Sequence, residues 1–412
     1  MMSLPSLTRV PVAPGAEGVD AVAAAVSPII AGEGPPIAVY PQVRKGQPDR
    51  HGAMFAAAVR ADAPVDNKSV AVVIPTSGSS GEPRGVLLSR EALIAAADAQ
   101  HEALQGPGLW LTAVPVTGIG GLMTVVRSLR AGHDASVLPG VGGASPFTPD
   151  AFAVAVDEFV RRAGDLGMPA YTSLVPTQLS RLVAADPALL EPVTRLSALL
   201  VGGSPLPDQV RHQAATLGIP VIESYGATET CGGVVYDGIP VPGVDVGIND
   251  EGRIEVGGPT VAMGYRLRPD LTERNFASGR FLSRDEGRFQ NGRLTILGRQ
   301  DQIVKVGGHK VSLRAVTEVL RSHPRVIEAI TVGSPDREWG QVPISVIVPD
   351  DTVVTSTDFD HAELIQQLQD QVAESLGRAS TPRRIEIRSE LPTLHSGKSD
   401  QVGWHRTSIR ED

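Results

Sequence analysis

Val72-Val73-Ile74-Pro75-Thr76-Ser77-Gly78-Ser79-Ser80-Gly81-Glu82-Pro83-Arg84-Gly85-Val86 is the stretch that decides how this 412-residue chain folds. The apolar run over residues 70–74 predicts a buried strand, which opens into a loop of hydroxyls and glycines closed by the cation Arg84. A helix is expected beyond it, with Ser89 as its N-cap. Gly78 and Gly81 let backbone N–H groups come close to an anion, and Thr76, Ser77, Ser79 and Ser80 add hydroxyl donors. The loop is therefore suited to gripping phosphate. It is not a Walker A loop, because neither Gly78 nor Gly81 begins the pattern G-x-x-x-x-G-K-[ST].

Outward from that loop, short apolar strands alternate with amphipathic stretches as far as residue 297. Strands are expected at residues 109–114, 171–174, 196–201 and 221–222, and helices at 150–162 and 207–217. This alternation predicts an α/β domain with mostly parallel strands. Residues 253–256 and 293–297 read as antiparallel edge strands. The pattern then changes to helix (313–322), strand (326–332), strand (344–348), helix (359–376) and strand (384–387), a small α+β module. The expected division is 1–298 and 299–412. Residues 1–69 form a shortened Ala/Pro/Gly-rich N-terminal region with a helix or two.

Bulk properties narrow the function. With 42% hydrophobic and 20% charged residues the chain can bury a core. A formal net charge of −9 argues against general nucleic-acid binding, so any grip on an anionic substrate must come from local cations and backbone dipoles. The one cysteine, Cys231, excludes an intramolecular disulfide and a cysteine-based zinc site. That fits a cytoplasmic setting. Neither a signal peptide nor an apolar run long enough to span a bilayer is evident, so membrane insertion is not expected.

Further stretches follow in order. Leu199-Leu200-Val201-Gly202-Gly203-Ser204-Pro205-Leu206 reads as strand, glycine turn and helix start. Glu223-Ser224-Tyr225-Gly226-Ala227-Thr228-Glu229-Thr230 contains Y-G-x-T-E. Asp285 lies in Phe281-Leu282-Ser283-Arg284-Asp285-Glu286-Gly287. Gly298-Arg299-Gln300-Asp301 precedes Gly307-Gly308, and Leu391-Pro392-Thr393-Leu394-His395-Ser396-Gly397-Lys398 closes the series. Together with the first loop, these stretches resemble the adenylate-forming enzymes, the acyl- and aryl-CoA ligases, across residues 70–398.

The resemblance implies ATP and Mg²⁺ with CoA as co-substrate, a large N-terminal domain and a small mobile C-terminal domain. It implies that Thr76 to Gly81 and Arg84 take the pyrophosphate, and that Gly202, Gly203 and Ser204 lie against adenine. Tyr225, followed by Gly226, would stack on that base. Thr228 would contact the α-phosphate and Glu229 would hold Mg²⁺, a hard cation suited to a carboxylate oxygen and phosphates. Asp285 and Arg299 would hold the ribose, Asp301 would be the hinge, and Lys398 would stabilise charge growing on phosphorus during adenylation. The chain departs from the family at Arg84 (usually Lys), at Arg284 (usually Gly) and at Gly118, where P-x-x-H has its histidine.

Within the family the likeness is greatest to the o-succinylbenzoate–CoA ligase branch of menaquinone biosynthesis. It rests on the short chain, on Thr228 to Gly238, and on Arg127 in Leu122-Met123-Thr124-Val125-Val126-Arg127-Ser128-Leu129. That acid carries two carboxylates, one activated and one held, and an arginine fork suits the held one. Gly118 and Ser173 are expected in the acyl pocket. Two other readings stay open: loading of another aryl or acyl carboxylate onto CoA or a carrier-protein thiol, and a non-catalytic nucleotide-binding homologue. The expected partners are small molecules (ATP, an aryl carboxylate and CoA), and a homodimer is compatible with the resemblance.

Overall fold

The structure, a computed structural model, describes residues 6–42, 50–65, 67–76, 83–143, 145–350, 361–389 and 391. The first sheet is built on β1 (Thr8–Val12), β2 (Ile37–Pro41), β3 (Val70–Thr76) and β4 (Arg84–Ser89), with Gly264–Tyr265 added beyond β4. β1, β2 and β3 run parallel, and β4 runs antiparallel to β3. β3 is apolar from Val70 to Pro75 because it is covered on both faces. Val72 and Ile74 enter one core, and Val70 and Val73 enter another. Helices α1 (Ala16–Ala31) and α2 (Arg50–Val59) belong to this part of the chain.

Two features differ from the sequence expectation. Between Arg84 and the helix start the chain forms β4, antiparallel to β3, a strand the sequence reading did not include. The helix α3 (Arg90–Ala103) itself starts where expected, with the Ser89 side chain accepting from the Ala92 N–H as its cap. The N-terminal region also holds strands β1 and β2, which their short length and interrupting prolines concealed.

The second sheet contains β5 (Leu109–Thr112), β6 (Ala170–Leu174), β7 (Ala198–Gly202), β8 (Val221–Ala227) and β9 (Gly232–Tyr236). β5 to β8 are parallel, and β9 turns back antiparallel on β8. Leu109 and Leu111 enter the core beneath one face, while Trp110 points to the other and packs on Tyr171 with ring centroids 5.0 Å apart. The connecting helices are α4 (Ile119–Arg130), α5 (Pro149–Asp165), α6 (Pro176–Val183) and α7 (Asp208–Thr216), with α8 (Pro269–Asn275) further on. A third sheet joins β10 (Asp245–Ile248) and β11 (Arg253–Gly257), antiparallel, with β12 (Arg280–Gln290) and β13 (Arg293–Arg299).

The chain divides into two compact units, one of residues 1–283 and 288–295, the other of 284–287 and 296–412. The second unit holds β14 (Ile303–Val306), β15 (His309–Ser312), β16 (Val326–Asp336), β17 (Gly340–Pro349) and β18 (Arg384–Ile387). Helices α9 (Leu313–Arg321) and α10 (His361–Leu376) pack with them, and Val316, Leu320, Leu364, Leu368 and Val372 share one core. β14 and β15 form a hairpin closed by Gly307 (φ 53°) and Gly308 (φ 86°). Two successive positive φ values are what a two-residue hairpin turn requires, which accounts for the glycine pair.

Candidate active site

Thr76 and Arg84 face each other at the base of the hairpin, as the last pair before its tip. Ser77, Gly78, Ser79, Ser80 and Gly81 lie outside the described residues. Arg84 is buried, with Cζ 5.2 Å from the centre of the Tyr265 ring. Tyr265 pairs with Val86 on β4, and its hydroxyl donates to Glu229 Oε1 at 2.8 Å. Burial, reinforced by the adjacent Glu229 carboxylate, holds that hydroxyl well above the usual tyrosine range, so it stays a proton donor. The expected phosphate cation and the expected metal-side carboxylate thus share one buried aromatic.

Glu229 sits in a 3₁₀ turn, Thr228–Thr230, that ends β8. Thr230 fixes the turn: its Oγ1 accepts from the Ala227 N–H at 2.9 Å and lies 2.9 Å from the Gly232 carbonyl. Cys231 then reverses the chain at φ 53° and is fully buried. Burial pushes its thiol up to about 12. Gly226 is demanded by the return strand, because a Cβ there would lie 1.9 Å from the Gly232 carbonyl oxygen. Thr228 and Glu229 are both buried.

Gly202 ends β7, and the carboxyl ends of β7 and the parallel β8 bring it beside Ser224, the residue before Tyr225. That is the usual place for a ligand on an open parallel sheet. Gly203 takes φ 86°, Ser204 is exposed and Tyr225 is half-buried.

Arg127 lies on α4 and is buried, 3% exposed. Its Nε donates to the Met123 carbonyl at 2.8 Å, and its Cζ lies 3.6 Å from the centre of the Trp110 ring. Among the described residues no carboxylate pairs with it. Burial pushes its pKa down to about 10, which still leaves it charged at neutral pH. Its surroundings are neutral. His101 is pushed down to about 4, by burial first and by Arg127 second, and it takes a hydrogen bond from Trp110 Nε1 at 3.3 Å. Tyr236 is pushed up to about 12 by burial. Nearby, Gln100 donates to the Gly233 carbonyl at 2.9 Å, while its buried Oε1 has no partner. Ser173 is buried on β6. At Gly118 a Cβ would meet only the Pro115 carbonyl, at 3.6 Å, so the position tolerates a side chain and lacks one.

In the second unit, Asp285 is half-buried on β12 and Arg299 is half-buried at the end of β13. Both have polar partners. Asp301 falls in the 3₁₀ turn Gln300–Gln302. Lys398 lies outside the described residues. Tyr265, Trp110 and His101 escaped the sequence reading, because a single aromatic in an apolar stretch reads as core. Among the described residues no three His, Cys, Asp or Glu side chains gather into a metal site. One buried carboxylate fits an ion that draws its other ligands from water and substrate phosphates. No helix among the described residues is long and apolar enough to cross a membrane.

Comparison with known proteins gives consistent matches. The AMP-binding enzyme family matches residues 10–266, and the AMP-binding enzyme C-terminal domain matches residues 315–398. A probable 2-succinylbenzoate–CoA ligase of Mycobacterium tuberculosis is 35% identical over 362 residues, covering 87% of this chain and 89% of that protein. The 2-succinylbenzoate–CoA ligase of Enterococcus faecalis is 31% identical over 373 residues, covering 84% of this chain and 71% of its own length. Among solved structures, o-succinylbenzoate coenzyme A synthetase from Bacillus subtilis, in complex with ATP and magnesium ion, superposes with a TM-score of 0.66 at 26% identity, covering 83% of this chain and 70% of that one. An amide bond synthetase from Marinactinospora thermotolerans shares the fold, with a TM-score of 0.70 at 24% identity over 92% of this chain and 76% of that one.

Proposed function

Because the chain belongs to the AMP-binding enzyme family, we propose that it is an AMP-forming acid–thiol ligase that activates 2-succinylbenzoate with ATP and passes the acyl group to CoA. One carboxylate of the acid attacks the α-phosphorus of ATP, and the bond to pyrophosphate breaks. The CoA sulfur then attacks the acyl carbon and AMP departs.

The choice of acid is carried by Arg127, a buried cation with no carboxylate partner among the described residues. A charge removed from water is costly unless it is paired. The second carboxylate of 2-succinylbenzoate would supply the missing anion, with the guanidinium held in place by Trp110 and the Met123 carbonyl. Gly118 and Ser173 line the acyl pocket in this reading.

The nucleotide is gripped by residues 76–81 and Arg84 at its phosphates, by Thr228 at the α-phosphate, by Gly202, Gly203, Ser204, Tyr225 and Gly226 at the base, and by Asp285 and Arg299 at the ribose. Glu229 would hold Mg²⁺, which when bound neutralises phosphate charge. Lys398 places a mobile cation on the developing charge of the first step, and rotation about Asp301 withdraws it for the second. On this reading the catalytic lysine travels on a C-terminal domain of residues 299–412, and the enzyme works in the cytoplasm where CoA and ATP are supplied.

The test is mass spectrometry of a reaction containing ATP, Mg²⁺, CoA and 2-succinylbenzoate, with benzoate and a fatty acid in parallel. Selective formation of 2-succinylbenzoyl-CoA with AMP supports the reading. Acyl-adenylate without thioester points to a carrier-protein acceptor. Turnover of benzoate in preference would remove the role given to Arg127.

A further inference from the structure

Residues 262–266 bind both the phosphate-loop hairpin and the turn that carries Glu229. On the hairpin side, the Met263 N–H donates to the Leu87 carbonyl at 2.9 Å and the Arg266 N–H to the Gly85 carbonyl at 2.7 Å. On the turn side, the Ala262 N–H donates to the Glu229 carbonyl at 2.8 Å, and the Tyr265 hydroxyl donates to the Glu229 carboxylate at 2.8 Å. Glu229 is thus held through main chain and side chain by one short segment.

Tyr265 is itself immobilised. Its N–H donates to Thr272 Oγ1 at 2.9 Å, and its ring meets Phe276 edge-on with centroids 5.4 Å apart. Arg84 stands over the ring. The segment is anchored by Arg266, whose guanidinium donates to the Ala63 and Pro64 carbonyls at 2.6 and 2.8 Å. A phenylalanine would fill the same core position. What the hydroxyl adds is the bond to Glu229, beside a weaker polar interaction with Arg84, and without a partner its burial would cost free energy. A glutamate carboxylate has several rotatable bonds, so a rigid donor on Oε1 selects one orientation.

We propose that Tyr265 is a positioning residue that orients the Glu229 carboxylate toward the metal carried by the bound nucleotide. This rests on the reading of Glu229 as the metal-side carboxylate.

The experiment measures ATP binding to the full chain by calorimetry across a Mg²⁺ series, and Mn²⁺ bound in the presence of ATP by electron paramagnetic resonance. Tyr265→Phe is expected to raise the Mg²⁺ needed for half-maximal ATP binding roughly tenfold, the scale of one hydrogen bond to a charged group. ATP binding without divalent metal should change far less, and the variant should remain folded, with its thermal midpoint lowered only by the loss of one buried hydrogen bond. With Glu229→Gln already present, adding Tyr265→Phe should change nothing further, because the two act as a unit. If Tyr265→Phe keeps the wild-type Mg²⁺ dependence while Glu229→Gln shifts it, the positioning role is overturned alone. If neither variant shifts it, Glu229 is not the metal-side carboxylate and both assignments fall.

Discussion

The Arg127 guanidinium stacks on the Trp110 indole, Cζ to ring centroid 3.6 Å, in a place where neighbouring His101 and Tyr236 are held neutral by burial. A desolvated cation on an aromatic face gains about 2 kcal/mol from the ring quadrupole, less than its desolvation costs. Arg127→Met should therefore leave urea stability unchanged or raise it, while raising KM for 2-succinylbenzoate roughly 10- to 100-fold with little change in kcat. Steady-state kinetics and urea unfolding of the same sample check both halves. A lower kcat at unchanged KM would mean that the arginine does not hold the second carboxylate.

His101 gives the fold a pH dependence. Its folded pKa of about 4 lies below the ordinary 6.5, so between those values the unfolded chain binds more protons than the folded one. Stability therefore rises with pH across that window and is lost as pH falls from about 6.5 toward 4, by on the order of 2–3 kcal/mol. His101→Gln keeps an acceptor for Trp110 Nε1 and removes the titration. Urea midpoints at a series of pH values should show a flatter acid limb in that variant, and a wild-type slope would place the effect elsewhere.

Cys231 combines full burial with a thiol pushed up to about 12. A thiolate is the reactive form, so the native protein should resist a disulfide-exchange reagent and react once unfolded. Rapid labelling of the folded protein would show that the turn at residues 228–231 opens readily.

The Gly226–Gly232 approach allows no side chain at residue 226, since a Cβ would sit 1.9 Å from a carbonyl oxygen. Gly226→Ala must push β8 and β9 apart and is expected to cost more than about 3 kcal/mol. Chemical unfolding of this variant is the direct check, and the displaced Thr228–Thr230 turn should also weaken ATP binding.

Sequence patterning reached the strands that are buried on both faces. Residues 70–74 and 198–201 are continuous apolar runs, and Arg384–Ile387 has a clear alternation, so strands emerge there, the second starting two residues later than expected. β4 was hidden because its short run Gly85-Val86-Leu87-Leu88 merges into the following helix start at Ser89. β1 was hidden because Pro11 interrupts it. The candidate site was legible where chemistry demands unusual local composition, as at Thr76 to Arg84 and Tyr225 to Glu229. It was not legible where a residue acts through tertiary contact. Tyr265 is 36 positions from Glu229 and Trp110 is 17 from Arg127, and local periodicity carries no trace of either pairing.

The role proposed for Lys398 predicts that its loss separates the two half-reactions. A flexible ammonium that meets phosphorus only in the first transition state contributes to adenylation and not to thioester formation. Lys398→Ala should slow formation of the acyl-adenylate by about 10²-fold or more, the loss typical of a removed charge stabiliser. Supplied with preformed 2-succinylbenzoyl-adenylate and CoA, the same variant should make thioester at close to the wild-type rate. Rapid-quench measurement of each half-reaction distinguishes the cases. Equal slowing of both steps would mean that the lysine holds the nucleotide throughout, and unchanged adenylation would remove it from the chemistry.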